Sequence, residues 1–214
     1  MGGAPKIWDI SQALRPELPV WPGDTPFHAE RRWSLGPDSP VNVSAFTVST
    51  HAGAHADAPL HYDADGAAID AVSLGPYLGR CLLVDARHHW PRIEAAFIEA
   101  HVPEGTQRVL FRTYDRFPFD HWEESFTAVH ADAIDLLAAR GARLIGIDGP
   151  SLDPQSSKTM DAHHAVRRAH MRVLEGLVLD APPPGEYELI ALPLLLQGLD
   201  ASPVRAVLRE LPQD

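Results

Sequence analysis

Apolar and polar residues alternate through 41–50 (VNVSAFTVST), a stretch rich in β-branched side chains, and predict a strand running directly into residues 51–61. A short strand is expected at 6–10 (KIWDI), and 11–40, rich in Pro, Gly and Asp, reads as ordered loop. Downstream the period switches back and forth. RCLLVDA (80–86), RVLFRTY (108–114) and RLIGIDG (143–149) read as buried strands. PRIEAAFIEA (91–100), with Pro91 suited to a first helical turn, and HADAIDLLAAR (130–140), stopped by Gly141, read as helices. A helix is expected over much of 161–172, then strands at 176–181 (GLVLDA), 187–194 (YELIALPL) and 203–210 (PVRAVLRE). No helix separates these last strands, which favours an α/β protein with a mixed sheet over a doubly wound parallel one.

The chain has 214 residues and neither a repeat nor a linker that would split it, so one domain spanning 1–214 is expected. A formal net charge of −11 speaks against a nucleic-acid partner, because phosphate binding needs a basic surface. No apolar run approaches the roughly 20 residues that span a bilayer, so no membrane partner is expected. The start, MGGAPKIWDI, lacks the apolar core of a signal peptide. The single cysteine, Cys81, sits in the apolar run CLLV and reads as a buried structural residue. It allows no intrachain disulfide and no Cys-rich zinc framework, and a cytoplasmic location is the default expectation.

Against this ordinary background, residues 51–61 (HAGAHADAPLH) stand out. His51, His55, Asp57 and His61 occupy odd positions, while Ala52, Ala54, Ala56, Ala58 and Leu60 fill the even ones. In extended backbone, alternate residues share a side, so three imidazoles and a carboxylate would converge on one small volume. The spacing of His51 and His55 also suits a helix, but Gly53, Pro59 and the preceding strand pattern argue against one. Imidazole nitrogen and carboxylate oxygen suit Zn²⁺ and similar borderline cations. One run cannot close a metal shell, and the best remote donors lie in 161–175: the adjacent pair His163–His164, and Glu175 just before the apolar run GLVLD. His28, His101, His121 and His130 show no such pattern.

The 51–61 run matches the H-x-G-x-H-x-D-x-P-x-H signature of the metal-dependent cyclase and formamidase-like hydrolases. Within that group, LPVWPGD (18–24) and SKTMDAHH (157–164) resemble the bacterial kynurenine formamidases, or arylformamidases. WDIS (8–11), GIDGPSLDP (146–154), LEGLVLD (174–180) and LIALPL (189–194) extend the likeness nearly end to end. The resemblance implies a partly closed barrel of mixed sheet with flanking helices, of the swivelling β/α/β type. It also implies two zinc ions per subunit, other divalent metals being possible. His51, His55 and Asp57 would hold the first; Asp57 would bridge to a second on His163, with His164 the fallback; Glu175 would bind both. His61 would move protons, and Trp21 would line the substrate pocket.

The same resemblance implies a homodimer whose substrate is a small aryl formamide. The expected reaction is hydrolysis of N-formyl-L-kynurenine to L-kynurenine and formate, in tryptophan degradation, by metal-activated hydroxide. Two rivals stand beside it. The same site could open another amide such as isatin or a cyclic imide, or the chain could be a non-catalytic metal-binding protein. A titratable His61 beside the ligands favours catalysis, because a structural zinc site is closed and four-coordinate.

Overall fold

Nine strands form one sheet in the computed structural model, which describes residues 4–212. Thirteen strands occur among the described residues: β1 (Ile7–Asp9), β2 (His28–Trp33), β3 (Val43–Thr47), β4 (His55–Asp57), β5 (Leu78–Asp85), β6 (Arg92–Ile93), β7 (Arg108–Arg112), β8 (Ala128–Val129), β9 (Leu144–Ile147), β10 (Arg172–Glu175), β11 (Gly185–Ile190), β12 (Ala201–Pro203) and β13 (Val207–Glu210). Three α-helices accompany them: α1 (Ala95–His101), α2 (Ala131–Ala139) and α3 (Asp161–Arg168). The large sheet runs β1-β13-β11-β5-β7-β9-β10-β4-β12, with β5, β7, β9 and β10 parallel and the flanking pairs antiparallel. It is the expected mixed sheet, curled into a half-barrel. Val178 N–H donates to the Ile10 carbonyl at 2.9 Å, drawing the end of β1 back toward the chain that leaves β10.

The central strands read as continuous apolar runs because both of their faces are covered. Leu110, Leu144 and Leu174 point into the curl, against Ile10, Leu189, Leu208 and the alanines Ala54, Ala56 and Ala58. Val109, Phe111, Ile145, Ile147 and Val173 point the other way, against Phe97, Ile98, Ile134, Leu137 and Val166 of the three helices. Cys81 is buried in the first of these clusters, and burial pushes its thiol above the ordinary range, as expected for a structural residue. Among the described residues no helix is long and apolar enough to cross a membrane.

Several boundaries differ from those expected. Residues 28–33 form a strand inside the expected 11–40 loop, pairing with β3 as an isolated two-stranded ribbon. The helix expected from Pro91 begins at Ala95, because Arg92 and Ile93 are held extended by parallel pairing with β8. α3 stops at Arg168, since His170 adopts a left-handed φ of 54° and the chain turns into β10. The apolar run 176–181 is not a strand. The strand is Arg172–Glu175, and it ends at Gly176, whose φ of +64° breaks the extended run. Gly176 also lies where a Cβ would come within 2.4 Å of the Gly53 carbonyl, so only glycine permits this close approach of the two segments.

Candidate metal centre

The ladder between β4 and β10 assembles the site. Glu175 sits opposite His55 and Val173 opposite Asp57. Val173 packs toward the helices whereas Ala54, Ala56, Ala58 and Leu174 face into the curl. Partners across a ladder share a face, so His55, Asp57 and Glu175 all look toward α3. There His163, 1 % exposed, meets them, while the adjacent His164 points to solvent. Only His55 and Asp57 lie in extended strand. His51 arrives from the turn before β4, and His61 from the 3₁₀ turn Pro59–His61 after it. The alternation along 51–61 therefore accounts for two of the four converging side chains, and turns deliver the other two.

Asp57 is the hub. Its Oδ1 lies 3.2 Å from His51 Nδ1 and 3.5 Å from His55 Nε2, and its Oδ2 lies 3.4 Å from His163 Nε2. Glu175 repeats the pattern, with Oε2 3.4 Å from His55 Nε2 and Oε1 3.3 Å from His163 Nε2. Each carboxylate thus turns one oxygen to the His55 side and the other to the His163 side. Both Asp57 oxygens and His163 Nε2 are buried without a hydrogen-bond partner. Unsatisfied polar atoms of this kind are costly in an interior unless something charged sits among them.

The nitrogens facing away from the hub are all occupied. His163 Nδ1 is 2.6 Å from Asp153 Oδ2, His55 Nδ1 is 2.9 Å from the Gly53 carbonyl, and His51 Nε2 is 2.9 Å from Asp200 Oδ2. An acceptor behind each imidazole is the arrangement that orients metal-ligating histidines. Asp153 is itself fixed by the N–H groups of Ala162 and His163 at 3.0 and 3.1 Å. Glu175 Oε1 accepts from Leu152 N–H at 2.8 Å. This set of inward nitrogens and carboxylate oxygens fits a divalent cation.

The electrostatics agree. Burial opposes ionisation of Asp57, yet the imidazoles of His163, His51 and His55 hold its carboxyl well below the usual range. Burial likewise opposes a charge on His51, but Asp57 and Asp200 raise it to about 9. His163 is raised well above an ordinary imidazole against its burial, by Asp153, Asp57 and Glu175. His61 differs. Burial, with the nearby His51 and His163, holds it below the ordinary value, although Asp57 pulls the other way.

Above the hub opens a cavity of about 570 Å³, with His51, His55, His61 and Glu175 on its floor. Trp21 lines it, 36 % exposed, and meets Trp122 edge-on with ring centroids 5.4 Å apart. Trp122 Nε1–H donates to Gln155 Oε1 at 2.7 Å, which fixes that ring. All seven site residues expected from the sequence are therefore gathered at this cavity or directly beneath it. Asp153, Asp200 and Trp122 were not expected. Asp153 lies within GIDGPSLDP, but neither it nor Asp200 nor Trp122 carries a local signal of its role.

Residues 8–154 match the family model described as "Putative cyclase". The chain belongs to this cyclase family. Its relatives include the kynurenine formamidase of Maricaulis maris (strain MCS10), 60% identical over 207 residues, which are 97% of this chain and 99% of that one. A solved structure described as "potential metal-dependent hydrolase with cyclase activity" superposes with a TM-score of 0.84 at 30% identity, covering 98% of this chain and 100% of the other. Isatin hydrolase A from Labrenzia aggregata shares the cyclase-family fold, with a TM-score of 0.84 at 22% identity over 97% of this chain and 94% of its own.

Proposed function

We propose that this protein is a kynurenine formamidase, a metal-dependent amidohydrolase that converts N-formyl-L-kynurenine to L-kynurenine and formate. The observation that carries this reading is the 60% identity to the Maricaulis maris enzyme over nearly both whole chains, with the Asp57 hub intact beneath an aromatic cavity. We assign His51, His55, Asp57, His163 and Glu175 as the residues that would hold two cations, His51 and His55 on one side and His163 on the other, with Asp57 and Glu175 shared between them. The two carboxylates, each with one oxygen toward His55 and one toward His163, support this assignment. Mixed nitrogen and oxygen ligation suits zinc best.

A divalent cation bound among these donors supplies Lewis-acid activation, lowering the pKa of water from about 15.7 to about 7. The protein's own residues supply the rest. Trp21 and Trp122 hold the aryl ring, and the formyl group reaches the floor lined by His51, His55, His61 and Glu175. As the oxygen of water bonds to the formyl carbon, His61 takes a proton from that water and, as the C–N bond breaks, returns it to the departing aniline nitrogen, leaving formate. Burial holds His61 below the ordinary imidazole range, which favours the neutral form that a proton acceptor needs. The aniline nitrogen leaves more readily than an alkyl amine, because the ring delocalises its lone pair.

The whole chain acts in this reading as one hydrolase domain, in the cytoplasm, and as a homodimer. The β2–β3 ribbon supports the dimer. All of β2 and most of β3 are exposed, and Trp33, Val43 and Phe46 stand in solvent at 59 %, 36 % and 64 % exposure. A two-stranded ribbon with no core behind it needs a covering surface. Activity is tested by assaying N-formylkynurenine against isatin. Turnover of the formamide supports the assignment; turnover of isatin alone would move it to lactam hydrolysis.

A further inference from the structure

We propose that Asp200 is a positioning residue that holds His51 and His61 together, coupling the metal site to the proton-transfer group. The inference rests on the formamidase reading. Asp200 immediately precedes β12, and the register Ala201↔Asp57 lays that strand beside the ligand run. Ala58 N–H donates to the Asp200 carbonyl at 2.9 Å, so the backbone of this residue is fixed. Its Oδ2 lies 2.9 Å from His51 Nε2 and 3.4 Å from His61 Nδ1, and its Oδ1 accepts from the Thr50 hydroxyl at 3.2 Å. The rings of His51 and His61 are only 4.1 Å apart, centroid to centroid.

Asp153 and the Gly53 carbonyl each orient one imidazole, whereas one Asp200 oxygen faces two. The Asp200 carboxylate, 3.4 Å from His61 Nδ1, favours a hydrogen on that nitrogen by its charge, which would leave Nε2 to give and take the transferred proton. The same oxygen keeps hydrogen on His51 Nε2 and turns Nδ1 toward Asp57. The Asp200 side chain is 41% exposed, so replacing it opens no hole in the core.

The test compares Asp200→Ala and Asp200→Asn with the unaltered enzyme in two measurements. In the first, metal-stripped protein is titrated with Zn²⁺ against a competing chelator. Loss of the acceptor behind His51 weakens affinity by about tenfold or more in Asp200→Ala. In the second, kcat and KM are measured for N-formylkynurenine and for 4-nitroformanilide, whose leaving nitrogen needs little protonation. A misaligned His61 lowers kcat for the first by about tenfold or more and for the second much less, with KM nearly unchanged. Asp200→Asn, which keeps one acceptor oxygen, falls between the two. Equal losses on both substrates, or unchanged zinc affinity in Asp200→Ala, would overturn the proposal. If the unaltered protein hydrolyses neither formamide, the formamidase reading fails, and the zinc titration alone decides whether Asp200 orients His51.

Discussion

Asp57 and Glu175 are both almost wholly buried and face the same imidazoles, so neither is replaceable by a neighbour. Asp57→Ala and Glu175→Ala are therefore expected to lose metal and activity together, as read by metal analysis beside a formamidase assay. His61→Ala should keep its metal and lose turnover by roughly 10²- to 10⁴-fold, the usual worth of a positioned acid or base. If His61→Ala emptied the site instead, His61 would be a ligand. Trp21 lines the cavity and is not part of the hub, so Trp21→Ala should raise KM by about 3- to 10-fold, in line with the energy of an aromatic contact. An unchanged KM would remove Trp21 from ring binding. His163 was ambiguous in sequence because His164 adjoins it. The register of α3, set by the Asp153 contacts to Ala162 and His163, turns one inward and the other to solvent.

At the scale of elements, the end of β9 carries a buried acid outside the metal hub. Asp148 accepts from Thr113 N–H at 2.8 Å, from the Thr113 hydroxyl at 2.5 Å and from Tyr114 N–H at 3.0 Å. Burial outweighs these donors and lifts its carboxyl to about 7. In the unfolded chain the group titrates near 3.9. Between those values the folded state binds more protons than the unfolded one, so this group's contribution to stability falls as pH rises from about 4 to about 7. The slope cannot exceed about 1.4 kcal/mol per pH unit. Urea midpoints across that range should fall less steeply in Asp148→Asn than in the unaltered protein. Equal slopes would mean that the three donors keep Asp148 ionised throughout.

Elements also show what could be read in the sequence. The strands over 80–86, 108–114 and 143–149 were legible because burial on both faces leaves an unbroken apolar run. β10 was misplaced by a few residues, because GLVLD is as apolar as a strand and only the φ of Gly176 marks the break. β2 was illegible. HAERRW has no buried face, and its extended form comes from pairing with β3 alone. The ligand run was legible through residue types and spacing. The carboxylates behind the histidines were not, because Asp153 and Asp200 reach them only through tertiary folding.

For the whole molecule, the unpartnered ribbon is the feature the monomer leaves unexplained. Phe46→Asp or Trp33→Asp should shift the protein toward monomer in analytical ultracentrifugation, with the metal content of each chain unchanged. A protein that sediments as a monomer before any substitution would rule out the dimer.

The central claim is that His51, His55, Asp57, His163 and Glu175, drawn from distant parts of the chain, hold divalent cations that the reaction requires. The most direct measurement is metal content and N-formylkynurenine turnover on one preparation, before chelation, after it, and after zinc is restored. The account predicts two zinc ions per chain, loss of turnover on stripping, and recovery on reloading. Full turnover in metal-free protein, or a loaded protein inert toward aryl formamides, would contradict it.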